Sequence, residues 1–220
     1  MSISILLADD HEIFRQGLQL LLNNQPDFQV VGQAANGLEA VAMAERLHPV
    51  VVIVDMIMPG LSGLDVIYQI KQRLPDIKVI VLSIHNEESF VVNALKNGAS
   101  GYVLKDSSPQ DVIRAVNAAL AGERFLSPQL NQHAIQSYMI HAQTKAINPY
   151  DTLTQREREI LHLYGEGFTR PEIAKQLSIS VRTVETHRAN LLQKLSLHSL
   201  GELVAYARKE GIIEEGKLRI

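Results

Sequence analysis

The stretch VVVIVDMIMPGLSG, residues 50–63, decides how the first half of the chain is read. Val50 to Val54 are five consecutive β-branched residues, a run suited to a strand buried on both faces of a parallel sheet. The run ends on a carboxylate, Asp55, and Pro59-Gly60 then turns the chain. A charge at the end of an oily strand needs a reason, and the flanking pattern suggests one.

On either side of this stretch, strand-like runs occur at 2–8, 28–34, 78–83 and 101–105. Helical patterns alternate with them at 12–24, 37–48, 62–74, 88–98 and 108–123, the first placing Ile13, Leu18, Leu21 and Leu22 on one face. Five strands alternating with five helices predict a doubly wound α/β fold, a five-stranded parallel sheet of flavodoxin-like type joined by right-handed crossovers. Residues 1–125 form this first domain. Residues 126–150 hold a single charge, Lys145, are rich in Gln and Asn, and read as a linker with one helix over Leu130–Ala142. From 151 to 220 the strands vanish, and four helices are predicted at 154–167, 171–177, 181–195 and 200–211. Thr154 and Glu157 form a capping box at the first of them.

Composition narrows the function classes. The chain has 220 residues, no cysteine and a net charge of −3. Disulfides, thiolate metal sites and thiol catalysis are therefore excluded. No apolar run approaches the roughly 18 residues needed to cross a bilayer, and MSISILLADD lacks a basic leader, so a cytoplasmic protein with no membrane partner is expected. Residues 1–125 carry 14 acidic and 9 basic residues, whereas 151–220 carry 10 and 11.

In an open parallel sheet, ligands bind beyond the carboxyl ends of the strands, where strand order reverses. With order 2-1-3-4-5, Asp9 and Asp10 after strand one come beside Asp55 after strand three. Three crowded carboxylates call for a cation, and an all-oxygen set suits Mg²⁺. Ser83 and Lys105 end strands four and five at the same rim. A metal, a hydroxyl and an ammonium around one carboxylate suit an added phosphoryl group. His11 and His85 read as surface residues, since no carboxylate partner is evident for either. An Asp-nucleophile phosphatase usually carries a second Asp two residues on, where this chain has Ile57. The loop DDHE after strand one would repel a flavodoxin-type phosphate.

In the second half, PEIAKQLSISVRTVETHRANLLQKL fits a helix-turn-helix. Its second helix is expected to bury Val181, Val184, Leu191 and Leu195. Arg182, Glu185, Thr186, Ala189, Asn190 and Gln193 would face base edges, with Thr183, His187, Arg188 and Lys194 toward phosphates. Three basic residues and one acidic residue between 182 and 194 make a local positive patch.

Asp9-Asp10, Asp55 followed by MPG, Ser83 and Lys105 resemble the receiver domain of bacterial response regulators. That resemblance implies that Asp55 accepts a phosphoryl group from a sensor histidine kinase. Asp10 would bind Mg²⁺ with Asp9 assisting, and Asp55 and the Ile57 backbone carbonyl would complete the protein ligands. Ser83 and Lys105 would hold phosphoryl oxygens, and Tyr102 would be the aromatic that turns inward when the hydroxyl moves. Asp106 departs from the proline frequent in many receivers. LTQREREIL and TVETH closely resemble the DNA-binding domain of LuxR-type regulators, with Arg170 where asparagine is frequent. Together the halves resemble the NarL/FixJ family of two-component transcription factors, homodimers on double-stranded DNA that phosphorylation switches. Two alternatives remain at this point. One is a DNA-binding protein whose receiver only dimerises; the other is an enzyme of the doubly wound class.

Overall fold

The computed structural model describes residues 2–130, 149–210 and 212–213. These fall into two compact units, one before and one after the break at 131–148.

The first unit is a parallel sheet ordered β2-β1-β3-β4-β5-β6. Its strands are β1 (Ile3–Ala8), β2 (Phe28–Ala34), β3 (Val51–Asp55), β4 (Lys78–Ser83), β5 (Gly101–Leu104) and β6 (Phe125–Leu126). The crossover helices are α1 (Glu12–Asn23), α2 (Gly37–Leu47), α3 (Gly63–Arg73), α4 (Glu88–Lys96) and α5 (Pro109–Leu120). Period-two alternation divides each central strand between two cores. Leu6, Val52, Val54, Val79 and Val81 pack with α2, α3 and α4. Ile5, Leu7, Ile53, Ile80 and Leu82 pack with α1 and α5. Both faces of the sheet are thus covered, which is why β3 is apolar at every position before Asp55.

Register fixes what stands at the rim. Ala8 pairs with Val54, so the next residues, Asp9 and Asp55, emerge at one level. Asp55 pairs with Leu82 and Ser83 with Leu104, so Ser83 stands one residue and Lys105 two residues beyond that level.

Three expectations need correction here. The sheet has six strands, not five. The added β6 pairs only at Gly101↔Phe125 and Tyr102↔Leu126, too short to show alternation in sequence. The first unit also runs past 125: Ser127 is fully buried, and Leu126 and Leu130 pack into its core. Of the helix expected over Leu130–Ala142, everything beyond Leu130 lies outside the described residues. Ile13 is 89% exposed while Leu18 and Leu22 are buried. At 3.6 residues per turn, a residue five places before Leu18 points elsewhere.

The second unit begins with a 3₁₀ turn (Pro149–Thr152) and continues through α6 (Gln155–Gly165), α7 (Arg170–Gln176), α8 (Val181–Lys194) and α9 (Leu200–Lys209). Ile160, Ile173, Val184, Leu191 and Leu203 lie in its core, and Tyr150 joins them from the stretch read as linker. The capping box at α6 is present: Thr154 N–H donates to Glu157 Oε2 at 2.8 Å, and Glu157 N–H donates to Thr154 Oγ1 at 3.3 Å. The turn between α7 and α8 passes through Ser178 at φ +52°. Ser180 then caps α8 by accepting Thr183 N–H at 3.0 Å. Arg170 leaves α7 properly started, because Thr169 N–H and hydroxyl both donate to Glu172, at 2.8 and 2.6 Å.

At the start of α3, a Cβ on Gly63 would stand 2.3 Å from the Asp55 carbonyl oxygen. Gly63→Ala should therefore shift the backbone and cost on the order of 1–3 kcal/mol. Gly17, inside α1, has nothing within 4 Å of the same added atom. Gly17→Ala should stabilise by about 0.5–1 kcal/mol through helix propensity. Urea denaturation of the two variants should move in opposite directions.

Candidate functional site

The rim predicted from the strand ends is assembled. Lys105 Nζ donates to Asp55 Oδ2 at 2.6 Å and lies 2.8 Å from Asp9 Oδ2. Both carboxylates are almost fully buried, and the ammonium also sits 4.9 Å from the centre of the Phe14 ring. One ligand atom from each of Asp9, Asp10, His11 and Asp55 lies within 4.8 Å of all the others. Asp10 Oδ1 is buried and accepts no hydrogen bond. Ile57 lies two residues beyond Asp55 in the loop that leads to α3, and its side chain is buried.

The charges at this rim do not balance. Burial pushes the Asp55 carboxyl up to about 6, with Lys105 opposing and Asp9 and Asp10 reinforcing the rise. For Lys105, burial disfavours the ammonium, but Asp55 and Asp9 outweigh it and hold the group above its usual value. Burial dominates the rise at Asp55, whereas the rise at Lys105 reflects the carboxylates around it; one ammonium still faces three carboxyl groups. A hard divalent cation would relieve that imbalance, and a buried Asp10 oxygen that accepts no hydrogen bond fits such an ion. The nearby imidazole is a poorer match for Mg²⁺ than the oxygens.

Ser83 is fully buried, and its Oγ accepts the His85 N–H at 3.1 Å. Tyr102 is also fully buried; its hydroxyl donates to the His85 carbonyl at 2.9 Å, and burial pushes the phenol pKa up. The aromatic is thus turned inward. His11 is exposed as expected but has carboxylates within reach, and His85 is partly buried. His11 Nδ1 lies 3.2 Å from Asp9 Oδ1 and 3.0 Å from Asp10 Oδ1, although only the first contact has hydrogen-bond geometry. His85 is stacked on Phe90 with ring centres 4.5 Å apart, and its Nδ1 lies 3.6 Å from Glu87 Oε2. Sequence reading missed Phe14 and Arg15. Arg15 donates to the Asp9 carbonyl and to Gln33 Oε1, bracing the end of β1. Their place in the first turn and a half of α1, which starts at this rim, was the available clue.

On α8 the exposed stripe is Arg182, Thr186, Ala189, Asn190 and Gln193, at helical spacing. Val184, Leu191 and Leu195 are buried as expected, but Val181, in the first turn, is 44% exposed. Lys194, expected to face phosphates, instead pairs with Glu157 Oε2 at 2.7 Å and donates to the Thr152 carbonyl at 3.1 Å. Burial would raise the Glu157 carboxyl, yet Lys194 and Thr154 hold it below its usual value. The basic side chain is used to tie the end of α8 to the start of α6. Glu185 pairs with Arg170 and lies 3.8 Å from Arg188. Thr183 shares a 2.8 Å hydroxyl contact with Ser180 at the cap, and His187 is half-buried, with Nδ1 enclosed and unbonded.

The family described as response regulator receiver domain matches residues 5–117, and that of bacterial regulatory proteins of the luxR family matches 151–207. The oxygen regulatory protein NreC of Staphylococcus epidermidis is 37% identical over 217 residues, covering 96% of this chain and 100% of that protein. The transcriptional regulatory protein DegU of Brevibacillus brevis is 34% identical, with 96% and 95% covered. Among solved structures, RcsB of Salmonella enterica serovar Typhimurium, bound to a promoter in the presence of the phosphomimetic BeF₃⁻, aligns with a TM-score of 0.59. It is 26% identical, and the alignment covers 95% of this chain and 99% of that one.

The electrostatics of the rim can be tested directly. Removing the ammonium in Lys105→Ala should raise the Asp55 carboxyl midpoint above its value near 6, since a cation favours the ionised form. Asp9→Asn should lower it, since a like charge is lost and Lys105 is left to Asp55 alone. Carboxyl-carbon NMR titration in metal-free buffer reads both; equal midpoints in the three proteins would rule out this coupling.

Proposed function

Because this chain belongs to the response regulators that join a receiver domain to a LuxR-family DNA-binding domain, we propose that Asp55 is the residue through which phosphorylation controls it. The protein is a phosphorylation-regulated transcription factor. The observation that carries the assignment of Asp55 is the 2.6 Å contact from Lys105, made at the buried end of β3 among two further carboxylates.

The donor in this reading is a phosphohistidine on a sensor histidine kinase. An Asp55 oxygen forms the new O–P bond as the N–P bond breaks. Lys105 is within reach of the acceptor carboxylate and would follow the incoming phosphoryl oxygens; Ser83, one residue beyond the same level, offers a hydroxyl to them. Asp9, Asp10, Asp55 and the Ile57 carbonyl would hold Mg²⁺, which when bound supplies positive charge to the transferring group. No side-chain acid stands at position 57, so we read acceptance on the protein's own carboxylate rather than turnover on a substrate. Phosphorylation adds charge that Lys105 can pair with and so biases the fold beside Tyr102. The reading places the protein in the cytoplasm with kinase and DNA; no described helix is long and apolar enough to cross a membrane.

For DNA, the exposed stripe of α8 would enter the major groove, with Arg182 as its outward cation and Thr186, Ala189 and Asn190 toward bases. Glu185 would be steadied by Arg170, and Arg188, Thr183 and His187 would flank the groove. A homodimer would read half-sites about one helical turn apart. The paired state of Lys194 removes it from our set of phosphate contacts.

Incubated with Mg²⁺ and a small-molecule phosphodonor, the wild-type protein should gain one phosphoryl group. Asp55→Asn, nearly isosteric, should gain none while keeping its circular dichroism spectrum. Mass spectrometry decides, and label at wild-type level in the variant would overturn the assignment. On DNA, Arg182→Ala should lower the salt slope by about one unit. Lys194→Ala should leave that slope unchanged and lower the melting temperature instead.

A further inference from the structure

Lys105 is carried on a turn just beyond β5, at the sheet's short edge. β6 covers that edge only as far as Tyr102. The Leu104 N–H therefore points past the end of the last paired strand, and a side chain meets it. Ser127 Oγ accepts the Leu104 N–H at 2.9 Å. The same oxygen is 2.8 Å from Ser107 Oγ, and Ser107 reaches Gln129 Oε1 at 3.4 Å. One orientation gives every hydroxyl a proton to donate: Leu104 N–H to Ser127, Ser127 to Ser107, Ser107 to Gln129. Ser127 has no exposed surface, and its own N–H donates to the Tyr102 carbonyl at 3.0 Å. The turn is closed by Ser107 N–H to the Leu104 carbonyl at 3.0 Å, and Lys105 N–H is bound to the Ser83 carbonyl at 2.8 Å. Lys105 and Asp106 thus lie between Leu104 and Ser107, and one buried hydroxyl grips both ends.

We propose that Ser127 is a positioning residue for Lys105: its buried hydroxyl fixes the Leu104–Ser107 turn and thereby holds the ammonium over Asp55. This rests on the reading of Asp55 as phosphoacceptor. It also links the site to the segment by which the chain leaves the first unit, since Ser127 bonds β5 through its backbone and the turn through its side chain.

The test uses the full chain with acetyl phosphate and Mg²⁺. Ser127→Ala should slow the maximal rate of phosphoryl uptake by about tenfold, as a displaced catalytic group does. The half-saturating acetyl phosphate concentration should stay nearly constant. In a Lys105→Ala background the same substitution should cause no further slowing, and NMR relaxation should show the Lys105 ε-methylene loosened in Ser127→Ala alone. Wild-type uptake by Ser127→Ala, an equal slowing in both backgrounds, or an unchanged ε-methylene would overturn the proposal. If Ser127→Ala does not fold, the half-exposed Ser107→Ala decides by the same measurements. If the wild-type protein takes up no phosphoryl group, the reading of Asp55 fails instead. The ε-methylene measurement then judges Ser127 independently.

Discussion

A single ammonium held between two buried carboxylates sets the terms for the first unit. Lys105 reaches Asp55 Oδ2 at 2.6 Å and Asp9 Oδ2 at 2.8 Å only because three strands deliver their ends to one rim. Burying charges is costly unless they are paired, and here the pairing is incomplete. One ammonium faces three carboxylates: burial, reinforced by Asp9 and Asp10, still pushes Asp55 toward protonation, while Lys105 is held charged. The sheet therefore presents a site in electrostatic deficit. Everything apolar around it, from the alternating β3 to the two helical layers, serves to keep that deficit at a fixed place and out of water.

The second unit manages its charges the other way. Several of its cations are consumed internally: Lys194 on Glu157, Arg156 on Glu159 at 2.7 Å, Arg170 on Glu185. A count of charges along α8 overstates what is offered to a polyanion. What remains outward is a narrow stripe led by Arg182, and the paired charges instead fix the angle at which that stripe is presented.

The parts of this structure that periodicity controls were legible in sequence. The alternation of strands and helices and the capping box at Thr154 follow from local pattern, and the rim residues from the strand order that the fold class implies; the structure shows each of them, with β6 added at the edge. The misses share a cause. Ile13 and Val181 each lie in the first turn of a helix, where an apolar residue need not face the core. β6 is two residues long and has no period. Lys194 and Glu185 owe their partners to side chains that the fold brings together, and spacing along the chain carries no trace of such contacts except within a helical turn. The limit is physical: local sequence encodes faces, whereas ion pairs across elements are settled by packing.

The loop from Met56 to Ser62 is pressed from two sides by backbone that carries no side chain. Gly63 stands against the Asp55 carbonyl, and a Cβ on Gly37 would lie 2.3 Å from the Leu61 carbonyl oxygen. The loop is thus measured against α2 as well as against its own strand. Residues facing solvent can drift without moving Asp55, but neither glycine can gain a Cβ without shifting the backbone of this loop or the end of β3. A transplant of this site onto another doubly wound scaffold would have to carry Gly37 from the neighbouring helix, well before Asp55 in the chain, to bring the carboxylate to the same place.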